Sequence, residues 1–140
     1  MQQLIEFATN HWILVLSLLT ISGALVYNLT LGAPKDQLEP QAVTELINHR
    51  NALVVDVRPV ADFSQGHIIN ALNLPMNGFQ NQLGQLKKHQ DAPVIVSCRS
   101  GAQSSQACRQ LRGAGFAEVY NLKGGMLAWQ NANLPITRKK

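Results

Sequence analysis

The stretch PVIVSCRSGAQS, residues 93–104, packs a strand, a cysteine, a tight loop and a helix start into twelve residues. Pro93, Val94, Ile95 and Val96 form a short apolar run rich in β-branched side chains, which suits a strand covered on both faces. The run stops at Ser97 and Cys98, and Gly101 lets the backbone turn sharply. Residues 104–115, SSQACRQLRGAG, read as a helix with Ala107, Cys108, Leu111 and Ala114 on one face and Gly113 and Gly115 as stops. Cys98 is therefore expected where a strand ends, in a loop whose successive amides converge on one point. Such a nest, backed by a helix N-terminus, favours an anion. A thiol placed there has its pKa drawn from about 8.5 toward roughly 3.5–7.5. Arg99 adds a positive charge next door, so the pattern points to a reactive nucleophile that also attracts anions.

Outside this stretch, composition narrows the class. A chain of 140 residues has room for one domain of ordinary size, and 46% hydrophobic with 14% charged residues describes a globular protein, not a disordered one. Two cysteines make no disulfide framework. Cys108, several residues into the helix, is expected beyond the ~7 Å Cα limit for bridging to Cys98 and reads as core packing. All twelve Lys and Arg residues lie from Lys35 onward, against seven acidic residues in the same span. That balance suits an anionic substrate or a nearby anionic leaflet. No nucleic-acid partner is expected, because Arg109 and Arg112 share a helix face and read as a solvated surface. His11, His49 and His89 are isolated and no Cys/His spacing suggests a metal. No Gly-rich loop is followed by the Lys that nucleotide binding needs, and Gly124-Gly125 reads as a tight turn before a helix. The expectation is no metal and no cofactor.

The N-terminus is the second informative region. WILVLSLLTISGALVYNLTL, residues 12–31, carries no charge. As a helix its twenty residues would span about 30 Å, the thickness of a bilayer's hydrocarbon core. Trp12 and Tyr27 sit near its ends, where aromatic rings favour the membrane interface. A buried core helix and a cleaved signal peptide are the rivals. Residues 1–11 hold only Glu6 as a charged side chain, so the basic start of a signal peptide is missing, and no clear A-x-A site follows. A retained single-span anchor is the expectation. Lys35, Arg50 and the basic domain beyond them put the catalytic part in the cytoplasm by the positive-inside rule, and hence the protein in the inner membrane. Thr20 and Ala24, one turn apart, read as lipid-facing filler.

Residues 33–40, APKDQLEP, read as a polar linker bounded by prolines. Beyond it the spacing predicts a helix over 41–49, a strand over 53–57, a short helix over 59–65 and a brief strand over 71–74. A helix over 79–88, the strand and helix around Cys98, a strand over 118–122 and a helix over 125–130 complete the pattern. Strands alternating with helices imply an α/β fold, a parallel sheet with helices on both faces. Its ligand site belongs at the carboxyl ends of the strands, where Cys98 falls.

Three stretches together resemble one family. CRSGAQS is similar to the active-site loop of single-domain rhodaneses, a Cys followed by a five-residue loop containing Gly and Ser. LVVDVRPVADFSQGHIINALNLP, residues 53–75, resembles the family's DVR…F..GHI.GA.N.P signature, and GFAEVYNLKGGMLAWQNANLPI, residues 115–136, resembles its GF..V..L.GG…W…..P ending. The matches keep their order and spacing over residues 40–136. Taken with the apolar run and the linker, the resemblance divides the chain into a short tail (1–11), a transmembrane helix (12–31), a linker (32–40), a rhodanese domain (41–137) and a basic tail (138–140).

The resemblance implies a sulfurtransferase. Cys98 would take the outer sulfur of a small anionic donor such as thiosulfate as a persulfide, then yield it to a thiol, protein or cyanide acceptor. The loop residues Arg99, Ser100, Gly101, Ala102, Gln103 and Ser104 would form the substrate-binding cradle, with amides stabilising charge as it moves. Many members carry Arg where this chain has Gln103, which bears on donor preference. Asp56 and Arg58 of the DVR signature, and His67 of GHI, are expected as structural support. The related dual-specificity phosphatases need an Arg that clamps phosphate in C-x5-R; this chain places Ser104 there. A rival of another class is a membrane-tethered rhodanese-fold module that recruits a partner with little turnover.

Overall fold

The computed structural model describes residues 1–31 and 35–138. The chain divides into two compact units, Met1–Lys35 and Asp36–Lys140.

The first unit is helical. Residues expected as a tail form α1 (Gln2–Asn10), which carries Leu4, Ile5 and Phe7 exposed on one side. It is followed by α2 (Trp12–Leu31), over the residues the apolar run predicts. Residues 12–30 are long and apolar enough to cross a membrane, and none of that span is buried within the protein. The hydroxyls of Ser17, Thr20 and Thr30 are satisfied inside α2, donating to the carbonyls of Leu14, Ser17 and Val26.

The second unit runs β1 (Gln37–Leu38), α3 (Pro40–Arg50), β2 (Leu53–Asp56), α4 (Val60–Gln65), β3 (Leu72–Asn73) and α5 (Phe79–Gln82), the last continued by a 3-10 segment (Leu83–His89). It ends with β4 (Val94–Ser97), α6 (Ala102–Gly113), β5 (Val119–Leu122) and α7 (Gly125–Asn131). The five strands make one sheet in the order β1-β5-β4-β2-β3, with every pair parallel. Central β4 is buried along its whole length, and side chains alternate between two cores. Val55, Val94, Val96 and Val119 face Phe79, Leu86, Ala107, Cys108 and Leu111 on one side. Val54, Ile95 and Leu122 face Val43, Met126 and Trp129 on the other. Helices therefore cover both faces, and the apolar runs that looked like strands are continuous because neither face meets water.

One part of the expected linker is sheet. Residues 32–34 lie outside the described residues, but Gln37 and Leu38 pair with Asn121 and Leu122, and Pro40 opens α3. The Asp36 carbonyl accepts from the Asn121 amide at 2.7 Å and the Leu38 carbonyl from Lys123 at 2.9 Å. The edge strand thus fastens the start of the domain to β5. Residues 139 and 140 of the basic tail also lie outside the described residues.

Candidate active site

The parallel strands all end at one side of the sheet, and the register brings Asp56 of β2 beside Ser97 of β4. Cys98 is the next residue after β4. Its Sγ receives the Gly101 amide at 3.0 Å and lies 3.3 Å from the Ser104 hydroxyl. Burial pushes the thiol pKa up; the Ser104 hydroxyl and the amides of Ser104, Gly101 and Ser100 outweigh it and hold the thiol below its ordinary value. Gly101 makes this turn at φ +99°, a left-handed conformation that side chains disfavour, and it opens α6.

The loop is clamped from the outside by α7. Met126 N–H donates to the Cys98 carbonyl at 2.8 Å and Leu127 N–H to the Arg99 carbonyl at 3.2 Å. Gly125 makes the approach possible. At φ +58°, a Cβ there would stand 2.4 Å from the Cys98 carbonyl oxygen and 2.8 Å from that of Arg99. The sequence suggests only a tight turn at Gly124-Gly125; the structure gives Gly125 a second task, holding the cysteine loop in place.

The loop residues separate into two groups. Ser100, Gly101 and Ser104 gather around Sγ. Arg99, Ala102 and Gln103 are exposed, as is Ser100, whose part at Sγ is its amide alone. Arg99 lines a cleft of about 300 Å³ with Arg58, Asp62, Gln65, Gly66 and Leu127. Gln103 lines a different one, about 550 Å³, with Val57, Pro59, Val60, Pro75 and Met76. Cys98 itself is 1% exposed. Cys108 shares the core beside it, and burial pushes that thiol up to about 12, as befits packing rather than reaction.

Among the described residues, none of Asp56, Arg58 and His67 hydrogen-bonds Sγ; they are held in hydrogen bonds of their own. Arg58 Nε and Nη2 donate to the Asp56 carboxylate at 2.7–3.1 Å, and Nη2 also reaches the Gly66 carbonyl at 2.7 Å. His67 stacks on Phe63 at 3.7 Å between ring centroids, and its Nδ1 donates to the Phe63 carbonyl at 2.7 Å. Since a carbonyl only accepts, Nδ1 carries the proton. The His67 backbone pairs with Thr137, tying the segment after α7 to the GHI segment. Among the described residues, no three of His, Cys, Asp and Glu stand together as a metal site.

Asn121 is the residue that sequence reading passes over. It sits in β5, 2% exposed, and reaches the cysteine loop from below. Its Nδ2 donates to the Gly101 carbonyl at 3.0 Å and to Ser105 Oγ at 2.8 Å, while Ser104 Oγ donates to its Oδ1. The signal was present: a lone amide inside the apolar strand VYNL has to find partners when buried.

Residues 39–132 match the Rhodanese-like domain family. The chain belongs to this family. The rhodanese fold is shared with a rhodanese-related protein from Thermoplasma volcanium, at a TM-score of 0.67 and 23% identity, covering 74% of this chain and 98% of that one. Over its whole length the chain is 37% identical to the uncharacterized protein YibN of Escherichia coli K12, also matched over 100% of its length. It is 33% identical to the thiosulfate sulfurtransferase GlpE of Glaesserella parasuis, covering 71% of this chain and 91% of the relative. The rhodanese domain thus stands in a family whose named relatives include sulfurtransferases.

Proposed function

We propose that the protein is a membrane-anchored sulfurtransferase that moves sulfane sulfur from thiosulfate, or a persulfide donor, to a thiophilic acceptor through a persulfide on Cys98. The observation that carries this reading is the cage around Sγ: one amide at 3.0 Å, one hydroxyl at 3.3 Å and a thiol pKa below the ordinary value. Thiolate Sγ attacks the outer sulfur of thiosulfate, the donor's S–S bond breaks, and sulfite leaves with the bonding pair. The acceptor, cyanide or a thiolate, then attacks the outer sulfur of the persulfide and Cys98 departs as thiolate. The Gly101 and Ser100 amides hold the negative charge in both steps without reorganising. With Cys98 1% exposed, a narrow terminal sulfur reaches it more readily than a bulky group. Arg99, at the mouth of the neighbouring cleft, attracts the anionic donor.

In the same reading α2 crosses the inner membrane once and the rhodanese domain faces the cytoplasm. The support is an uncharged helix of twenty residues with every Lys and Arg on its C-terminal side. The anchor serves transfer to, or docking on, a membrane protein.

Steady-state kinetics of the full-length protein in mild detergent test the chemistry. Parallel double-reciprocal lines for thiosulfate and cyanide, with turnover abolished in Cys98→Ala, are expected. Turnover that persists in Cys98→Ala refutes the persulfide route, and folded wild-type protein without turnover favours a tethered binding module. Labelling of Cys98 in intact and in permeabilised cells tests the topology; modification in intact cells by a membrane-impermeant reagent contradicts a cytoplasmic domain.

A further inference from the structure

The Ser104 hydroxyl has one proton and two places to put it. Its Oγ lies within hydrogen-bond reach of Asn121 Oδ1 on one side and 3.3 Å from Cys98 Sγ on the other. The Asn121 amide cannot turn over to relieve the competition. Its Nδ2 is committed to the Gly101 carbonyl, which only accepts, and to Ser105 Oγ, whose own proton goes to that same carbonyl at 3.0 Å. Oδ1 therefore faces Ser104 permanently.

We infer that Asn121 is a positioning residue that competes with the Cys98 sulfur for the Ser104 proton, and so sets how readily Cys98 becomes an anion. While Ser104 donates to Asn121, its lone pair faces Sγ and receives the thiol S–H, an arrangement that favours the neutral form. When Cys98 ionises, its proton leaves to solvent, and the Ser104 O–H turns to Sγ while Asn121 Oδ1 gives it up. Asn121 thus opposes the thiolate through Ser104, and the Gly101 carbonyl keeps its bond from Ser105 Oγ when the Asn121 amide is removed. The ionisable groups on the surrounding elements are Arg99 in the loop, Cys108 and Arg112 on α6, Asp36 beside β5, and the Asp56–Arg58 pair at the end of β2. Arg112 and Asp36 pair with each other at 2.7 Å, as do Arg58 and Asp56. The backbone amide of Asn121 donates to the carbonyl of Asp36, the residue before β1, which fixes the β5 backbone at this position.

The inference rests on Cys98 being the working thiol, and its test separates the two. The pH titration of the Cys98 thiolate is followed by its ultraviolet absorbance in full-length protein, with Cys98→Ala as the blank, for Ser104→Ala, Asn121→Leu, Asn121→Asp and Ser104→Ala/Asn121→Leu. Removing a hydrogen bond of ordinary strength shifts a pKa by up to about one unit. Asn121→Leu frees the Ser104 proton for Sγ, so the Cys98 pKa falls by about half a unit or more; Asn121→Asp holds that proton harder and adds charge, so it rises. Ser104→Ala raises it, and the double variant titrates like Ser104→Ala alone because Asn121 acts through Ser104. A purely structural role loosens the cage in every Asn121 variant and raises the pKa in all of them. That result, or a double variant that differs from Ser104→Ala, overturns the inference. Should Asn121→Leu fail to fold by circular dichroism, Asn121→Ala carries the same prediction. A wild-type protein that titrates as described but never accepts sulfur refutes the transfer reading while leaving this one standing.

Discussion

Replacing Gly125 with Ala is the sharpest probe of the clamp on the cysteine loop. The new Cβ would stand 2.4 Å from the Cys98 carbonyl oxygen, 2.7 Å from the Arg99 carbonyl carbon and 2.8 Å from its oxygen. All three are backbone atoms, so no side chain can swing aside. The φ of +58° adds the left-handed penalty of about 1–2 kcal/mol for a residue with a Cβ. Forcing a methyl into a filled space adds roughly 1–3 kcal/mol. Relief requires α7 to retreat, which breaks the Met126 and Leu127 amide bonds to the loop. A loss of about 3 kcal/mol is expected, or a melting temperature lower by about 12–24 °C for a domain of this size. Sulfur transfer falls as well, since the Cys98 and Arg99 carbonyls set where the loop amides point. Gly113→Ala is the internal control: nothing lies within 4 Å of its Cβ, and at the last residue of α6 the exchange keeps stability within about 0.5 kcal/mol of wild type. Thermal melts and transfer rates of both variants decide the matter. Gly125→Ala that melts and turns over like wild type would refute the clamp.

The two cysteines and the buried ion pair carry further expectations. The rate of Cys98 alkylation by iodoacetamide rises with pH as the thiolate forms and levels off at a lower pH than for an ordinary thiol, because its pKa is depressed. A plateau at or above the ordinary thiol range contradicts the cage. Cys108 stays unmodified at neutral pH in the folded protein, since burial pushes it up to about 12, and peptide mapping of the alkylated protein checks this. Arg58→Met leaves the fully buried Asp56 carboxylate without its partner and destabilises the domain by roughly 3–5 kcal/mol in urea melts; a loss under about 1 kcal/mol shows the pair to be dispensable.

The parts of the fold that were legible in the sequence are those where burial writes a pattern. Val94, Ile95 and Val96, and Leu53, Val54 and Val55, read as strands because central parallel strands are apolar on both faces. The loop after Cys98 was legible because a nucleophile between a strand and a helix needs Gly101 to turn. Gln37 and Leu38 were not: two residues carry no periodicity, and their pairing is dictated by Asn121 and Leu122 of β5, far along the chain. The helix expected over 79–88 becomes 3-10 from Leu83, where Gly84 weakens the α-helical run. Gly125 and Asn121 escaped for a shared reason. Their tasks are contacts with Cys98, Arg99 and Ser104 across the fold: nothing local distinguishes a clamping glycine from a turn, and the lone amide in VYNL says that Asn121 needs partners but not which ones.

The most direct measurement is the intact mass of the full-length protein after incubation with thiosulfate and removal of excess donor. The account predicts the gain of a single sulfur atom, located on Cys98 by peptide mapping, removed by cyanide and absent from Cys98→Ala. Folded, reduced protein that gains no sulfur, or gains it elsewhere than Cys98, would contradict it.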